Sequence, residues 1–376
     1  MPALPYLMLG GGPGAFIGAV HRIAAAMDQH WRLVGGSFAS TSERSRETGA
    51  ALGLAPERSS GTWQECLARE AKLSAEERAV AVVIVTPNHL HVPMALAALK
   101  AGFHVICDKP LGGSVAEGKE LAAAIAASGR IFALTHNYTA HPLISEARAL
   151  VRAGRLGAIR KVLVEYAQGW LAGSLEKTGQ KQAAWRTDPA QAGASCCMGD
   201  IGTHAANLAE HVTGLPIESL AADLSTFVPG RQLDDDGSVL LRFRGGAKGA
   251  LVASQIMVGC ENGLRLRVYG EKAGLEWSQE EPNTLVLRHP DRPAELLRTG
   301  QGYLSADAKS GARVPPGHPE GYLEAFANIY TRVAAAIRDP KAPRDFPGID
   351  DGLRGMAFIN ACVESSAKNA AWVKVG

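Results

Sequence analysis

Residues 4–18 read LPYLMLGGGPGAFIG: an apolar run breaks into glycines, and the glycines open onto helix-forming residues. Leu4–Leu9 is predicted as a strand and Gly14–Met27 as an amphipathic helix entered through Gly10–Gly18. Glycine allows a tight turn and a close backbone approach, and the first N–H groups of the helix then face whatever lies beyond the strand. Two spacings fit the dinucleotide fingerprint. Gly10-x-Gly12-x-x-Ala15 is the form ending in alanine, and Gly12-x-Gly14-x-x-x-Gly18 is longer by one residue. A strand-to-helix turn without a ligand would also explain glycines alone, so the flanking pattern has to decide.

That pattern alternates. Arg32–Ala39 reads as a strand, Ser42–Leu52 and Thr62–Lys72 as helices, and Ala79–Val85 as a β-branched run of the kind buried on both faces of a sheet. Asn88–Ala101 is predicted helical, then Phe103–Cys107 a strand, Ser114–Ser128 a helix and Ile131–Thr135 a strand. Strict alternation implies right-handed βαβ units and a parallel sheet. After about residue 137 the pattern changes to a helix (Pro142–Ala153), a strand (Ile159–Gln168), a loop (Gly169–Met198) and a helix from about Ile201 to Thr213. Strands then follow one another at Ser238–Phe243, Lys248–Gln255, Leu264–Tyr269, Leu275–Trp277 and Thr284–Arg288. Arg292–Pro316 reads as loop, and two late helices (Glu320–Ile337, Asp350–Lys368) close the chain. The expected fold is an α/β Rossmann domain over residues 1–136, followed by an α+β domain over 137–376 with an open, mostly antiparallel sheet. The late helices of the second are free to pack back on the first.

The chain of 376 residues is long enough for two cores, and 46% hydrophobic with 20% charged residues is an ordinary globular balance. A net charge of +2 carries no footprint for nucleic acid, and no apolar run reaches the length of a membrane span. Six cysteines without metal-ligand spacing, two of them adjacent (Cys196, Cys197), suit reduced thiols and a cytoplasmic protein without a metal site.

Ligands of open α/β sheets bind beyond the carboxyl ends of strands, so the candidate residues cluster there. The glycine turn offers Gly10, Gly12, Pro13, Gly14, Ala15, Phe16 and Ile17 to a pyrophosphate. After the second strand, Phe38–Ser42 holds no acid to bind a 2′-hydroxyl, whereas Ser40 and Arg44, with Arg46 nearby, suit a 2′-phosphate. NAD and NADP both stay open there, with a lean to NADP. Thr86, Pro87, Asn88 and His91 follow the third strand, with Asn88 also readable as a simple helix cap, and Asp108, Lys109 and Pro110 follow the fourth. The Lys109 ammonium is suited to bond a substrate hydroxyl and to stabilise negative charge developing on it. Asp200 and His204, four apart on an expected helix, can converge on one point, and histidine is the side chain suited to take a hydroxyl proton near neutral pH. Asp at a helix start also has a purely structural explanation.

Taken in order, the glycine turn with His21 and Arg22, Thr86-Pro87-Asn88 with His91, Asp108-Lys109-Pro110, and Asp200 to His204 resemble the Gfo/Idh/MocA family of glucose–fructose oxidoreductases and inositol dehydrogenases. Asn137-Tyr138, Trp185 to Pro189 and His318 to Tyr322 agree. The resemblance implies hydride transfer between a bound nicotinamide and a secondary alcohol carbon of a sugar, cyclitol or derivative. Lys109, Asp200 and His204 would be the catalytic set, with His204 the acid/base. It also implies cofactor contacts from Asp108, Lys109 and Asn137, a second domain whose open sheet commonly forms oligomer contacts, and hence a homodimer or homotetramer. Substrate contacts would include Lys109, Tyr166, Asp200, His204 and His318, with Gln168 and Tyr322 near them. Two departures stand out: Asp108 replaces the usual Glu, and Asn207 stands where many members have a second Asp. A relative that cleaves glycosides through transient oxidation and a non-catalytic dinucleotide sensor are the alternatives.

Overall fold

The computed structural model describes residues 1–376, which divide into two compact units. The first comprises Met1–Thr135 with Phe326–Leu353, and the second His136–Ala325 with Arg354–Gly376.

In the first unit β1 (Leu4–Gly10), α1 (Phe16–Met27), β2 (Trp31–Ser37), α2 (Ser42–Ala51), α3 (Trp63–Glu70), β3 (Ala81–Val85), α4 (His91–Lys100), β4 (His104–Cys107), α5 (Val115–Ser128) and β5 (Phe132–Leu134) alternate as expected. The five strands run parallel in the order β2-β1-β3-β4-β5. All five residues of β3 are buried, and each such aliphatic side chain contributes about 1.5–3 kcal/mol on leaving water. Local signals set the helix ends. Thr62 and Glu65 form a capping box on α3, Ser114 caps α5, and Gly129 ends α5 with φ of 64°. Strand order reverses between β1 and β3, where a ligand crevice is expected.

The second unit contains α6 (Pro142–Arg152), β6 (Ile159–Ala167), α7 (Lys181–Arg186), α8 (Pro189–Ala192), α9 (Thr203–Thr213), β7 (Ile217–Ser225), β8 (Asp236–Phe243), β9 (Lys248–Ser254), β10 (Gly263–Gly270), β11 (Gly274–Ser278), β12 (Thr284–Arg288), β13 (Glu295–Arg298) and α10 (Ala306–Ser310). It also holds the start of α11 (Tyr322–Arg338), most of α12 (Ile349–Ala367) and β14 (Val373–Lys374). Nine strands form one sheet, β13-β12-β11-β10-β6-β9-β8-β7-β14, antiparallel throughout except for the parallel pair β6–β9. Helices α6 and α9 pack on one face, and β8 alternates buried and exposed residues accordingly.

Several expectations need correcting. The segment read as loop before Met198 carries α7 and α8, and Arg292–Pro316 carries β13 and α10, elements too short to leave a periodic signature. β7 was not predicted at all. The expected second domain is not one continuous stretch, because Phe326–Leu353 belongs to the first unit. The reason is packing: Tyr330 bonds to His21 through its hydroxyl (2.8 Å) and to Trp31 Nε1 through its carbonyl (2.9 Å), while Thr331 donates to Asp28 (2.8 Å).

Candidate functional site

The glycine turn closes at the switch point between β1 and β3. Gly10, Gly11 and Gly14 have φ of 87°, 74° and 81°, a region closed to most side chains. A Cβ on Gly10 would meet Val85 O at 2.6 Å, one on Gly12 would meet Phe38 O at 2.5 Å, and one on Gly18 would lie 2.3 Å from Gly11 Cα. The longer spacing, Gly12-x-Gly14-x-x-x-Gly18, is therefore the one the geometry uses: Gly18 lets α1 lie against the turn, while Ala15 is only its N-cap. The turn is pinned by Gly12 N to Phe38 O and by Arg22 Nη1 to Gly11 O, both 2.9 Å. No side chain caps α1 and its first turn holds no acid, so its N-terminus keeps its positive end for an anion. Such a cradle fits the pyrophosphate of a dinucleotide. Pro13, Gly14 and Phe16 are exposed beside it, and Ser40 and Arg44 are exposed beyond β2.

At the next two strand ends Thr86 and Pro87 are half-buried, and Asn88 is buried without acting as a side-chain cap. His91 was expected to contact cofactor, and here the structure differs. It is buried, with Nδ1 2.7 Å from Pro110 O and Nε2 2.9 Å from Thr86 O. Its ring lies between two strand ends and, being neutral, donates its single N–H to one of these carbonyls, because burial pushes its pKa down against the opposing pull of those carbonyls and Asp108. Asp108 Oδ1 accepts from Thr135 Oγ1 (2.8 Å) and from the backbone N–H of Lys109 (2.9 Å), fixing the turn that carries Lys109. Lys109 is half-buried, and its peptide bond to Pro110 is cis.

The second unit gathers the remaining residues at one edge of its sheet. The helix expected from Ile201 opens earlier, as a π turn over Met198–Gly202 that runs into α9. Such turns recur at functional sites because they offset the side chains they carry. Asp200 lies on this turn and His204 just beyond it. The turn is held by a residue the sequence did not flag: Asp234 accepts from Ser195 Oγ (3.0 Å), Cys196 N (3.0 Å) and Met198 N (2.9 Å). Burial raises the Asp234 pKa, and those donors oppose the shift.

Asp200 Oδ2 accepts from Arg186 Nε at 3.0 Å and from Gln255 Nε2 at 2.9 Å. The Arg186 guanidinium lies over the Trp185 ring at 4.2 Å and near that of Trp170 at 5.8 Å, which fixes its plane. His204 is buried among rings, with Tyr138 at 4.8 Å, His136 at 5.3 Å and Tyr166 at 6.3 Å between centroids; its Nδ1 stands 3.5 Å from His136 Nδ1. Tyr166 was expected to touch substrate. Instead its hydroxyl accepts from Tyr138 (2.6 Å) and donates to Asn262 Oδ1 (2.7 Å), so it supports the pocket from behind. Gln168 donates to the same Asn262 oxygen (2.8 Å) and accepts from Trp170 Nε1 (3.0 Å). Burial raises the pKa of both tyrosines, Tyr166 the further, and keeps them as neutral phenols.

Asn137 is buried with its amide Nδ2 lacking a protein partner, the condition of a donor kept for a ligand. Asn207 is buried on α9. His318 does not join the His204 cluster. It is exposed, bonded to Pro315 O at 3.1 Å, and lines a cleft shared with Tyr322. Arg186, Gln255, Asn262, His136 and Asp234 went unassigned. Arg186 lies within the Trp185–Pro189 stretch and Gln255 ends an expected strand, but Asp234 sits in a run of three aspartates that reads as a solvated turn.

Residues 6–136 match the oxidoreductase family with an NAD-binding Rossmann fold, and residues 144–276 match the GFO/IDH/MocA C-terminal domain. An oxidoreductase from Sinorhizobium meliloti is 47% identical over the full length of both chains, with a TM-score of 0.90. An inositol dehydrogenase homolog from Azotobacter vinelandii, complexed with NAD+, is 35% identical over 99% of this chain and 97% of its own, with a TM-score of 0.95. Levoglucosan dehydrogenase of Pseudarthrobacter phenanthrenivorans is 27% identical over 78% of this chain and 79% of its own.

Proposed function

Because the chain belongs to the GFO/IDH/MocA oxidoreductase family, we propose that it is an NAD(P)-dependent dehydrogenase acting on a secondary alcohol of a sugar, cyclitol or sugar derivative. The observation that carries this reading is the seating of His204 in a buried pocket of aromatic and imidazole rings, on a turn whose Asp200 is clamped by Arg186 and Gln255.

In this reading Gly10, Gly12, Pro13, Gly14, Ala15, Phe16 and Ile17 hold the pyrophosphate, with Thr86, Pro87, Asn88, Asp108, Lys109 and Asn137 serving the nicotinamide half. The bound nicotinamide supplies a hydride acceptor. His204 takes the hydroxyl proton; since its Nδ1 faces His136, Nε2 is the nitrogen that does so. Lys109 donates a hydrogen bond to the same oxygen and offsets the charge that develops there. Asp200, held as a carboxylate by Arg186, receives substrate hydroxyls.

At the adenosine end, Ser40 and Arg44 lie exposed with no carboxylate in Phe38–Ser42, which supports use of NADP(H) alongside NAD(H). The family resemblance supports a homodimer or homotetramer, which light scattering of the purified chain would resolve, and six cysteines without disulfide or metal spacing suit the cytoplasm. The test of the activity is a panel of sugars, cyclitols and anhydrosugars assayed with NAD and NADP separately, followed by reduced-nicotinamide absorbance. Lys109→Ala and His204→Ala should each lose about 10²–10⁴-fold in turnover on the best substrate. Near-normal turnover in both would refute the assignment.

A further inference from the structure

The nine-stranded sheet sets out its functional residues along one edge. Gln168 follows β6, Asn262 precedes β10 and Gln255 follows β9, and these border the His204 pocket. On the next three strands along the same edge, Gln279 follows β11, Thr284 begins β12 and Arg298 ends β13; Ser278 pairs with Arg265 and Thr284 with Arg298. A cleft of about 750 Å³ opens there, lined by Gln279, Glu281, Asn283, Arg298, His318 and Tyr322 among others. That volume falls within the range of small-molecule sites.

The cleft and the pocket are linked through packed side chains. Ring contacts of 4.8 and 6.1 Å lead from His204 through Tyr138 to Tyr322, which lines the cleft. Glu280, which also lines the cleft, accepts from Asn262 N at 2.9 Å, and Asn262 is the residue that holds Tyr138 and Tyr166. The lining mixes polar side chains with apolar surface. Gln279 and Glu281 line it from the turn after β11. Its carboxylates (Glu280, Glu281, Glu320, Glu324) outnumber its cations, which disfavours phosphorylated and acidic sugars by like-charge repulsion.

We propose that the substrate site continues along the sheet edge into this cleft, and that the cleft takes the second sugar of an uncharged glycoside. The inference rests on the dehydrogenase reading and narrows its substrate class. It gives the chain a preference for glycosides over the corresponding free sugars and cyclitols.

The test compares galactinol with myo-inositol, and maltose and cellobiose with glucose, in wild type, Gln279→Trp (which narrows the cleft) and Glu281→Ala. At least one glycoside should exceed its free counterpart about tenfold in kcat/KM, a difference of one well-made set of contacts. Both variants should raise KM for that glycoside, Gln279→Trp by about tenfold or more, while kcat/KM for the free sugar stays within about twofold. Glycosides no better than free sugars, or variants that weaken both alike, overturn the proposal. Calorimetric titration with maltose and galactinol keeps the two readings apart. If nothing is oxidised, a glycoside that binds wild type but not Gln279→Trp upholds the cleft while the dehydrogenase reading fails. Absence of binding by both overturns the cleft.

Discussion

Gly18→Ala tests the cradle without any need to know the substrate. The added Cβ would lie 2.3 Å from Gly11 Cα and 2.5 Å from Gly11 O. Carbon atoms in contact prefer about 3.5–4.0 Å, so the turn and α1 must part by more than about 1 Å. Both groups are backbone, so no rotamer change relieves the clash. A displacement of that size stretches the 2.9 Å bonds from Gly12 N to Phe38 O and from Arg22 to Gly11 O beyond hydrogen-bond reach. Hydrogen bonds to a charged group contribute about 1.5–3 kcal/mol, so misplacing one pyrophosphate donor weakens NADH binding by roughly 10–100-fold. Stability should change less. Overpacking costs about 1–3 kcal/mol, and alanine in place of glycine within a helix returns about 1 kcal/mol. The assay is an NADH fluorescence titration alongside thermal unfolding. Gly302→Ala serves as the control, since nothing lies within 4 Å of its added Cβ. An NADH Kd for Gly18→Ala within about threefold of wild type would show that the close approach of α1 is not what shapes the anion site.

Arg186→Ala removes the charged donor from Asp200, and it should cut kcat/KM on the best substrate about 10–100-fold with NADH affinity unchanged; Arg186→Lys, which lacks the fork and the stacking plane, should recover little. Kinetics indistinguishable from wild type in Arg186→Ala would remove Asp200 from the site. Burial holds the pKa of His21 at about 4 and of His141 at about 3, below the ordinary 6.5. The unfolded chain therefore takes up protons first: stability is complete above about pH 6.5 and declines as pH falls towards 4, by about 1.4 kcal/mol per pH unit per histidine. Urea unfolding at about pH 7.5 and about pH 5 checks this, with His141→Phe flattening the slope; equal stabilities at the two values would contradict it. His91→Phe removes the one ring N–H that reaches Thr86 O or Pro110 O and should cost the first unit about 1–3 kcal/mol by denaturant unfolding. No loss there would mean that the tie between the strand ends contributes nothing.

Much of the first unit was legible because its signals are local. Val82 to Val85 announce a strand buried on both faces, Thr62 and Glu65 announce a helix start, and Gly129 a helix end. Lys109, Asp200 and His204 stood out because each is a reactive residue in a short, recognisable string. Their supports did not. Asp234 holds a turn 36 to 39 residues earlier in the chain through three bonds, and Gln255 reaches Asp200 across a separation of 55 residues. Neither partner lies within a window that periodicity can read. The π turn at Met198–Gly202 was likewise invisible, since the same residues satisfy an ordinary helical pattern.

The sequence by itself determined the alternation of strand and helix, the glycine turn at the end of β1 and the family to which these belong, because propensity, capping and φ restrictions act between near neighbours. Only the tertiary structure decided which glycines the turn needs. It alone turned His91 and Tyr166 from ligand contacts into supports, bound Phe326–Leu353 to the first unit and set a cleft beside the His204 pocket. These depend on which distant atoms come within hydrogen-bond or van der Waals reach. That reach is settled by sheet order and side-chain packing, which no local pattern encodes.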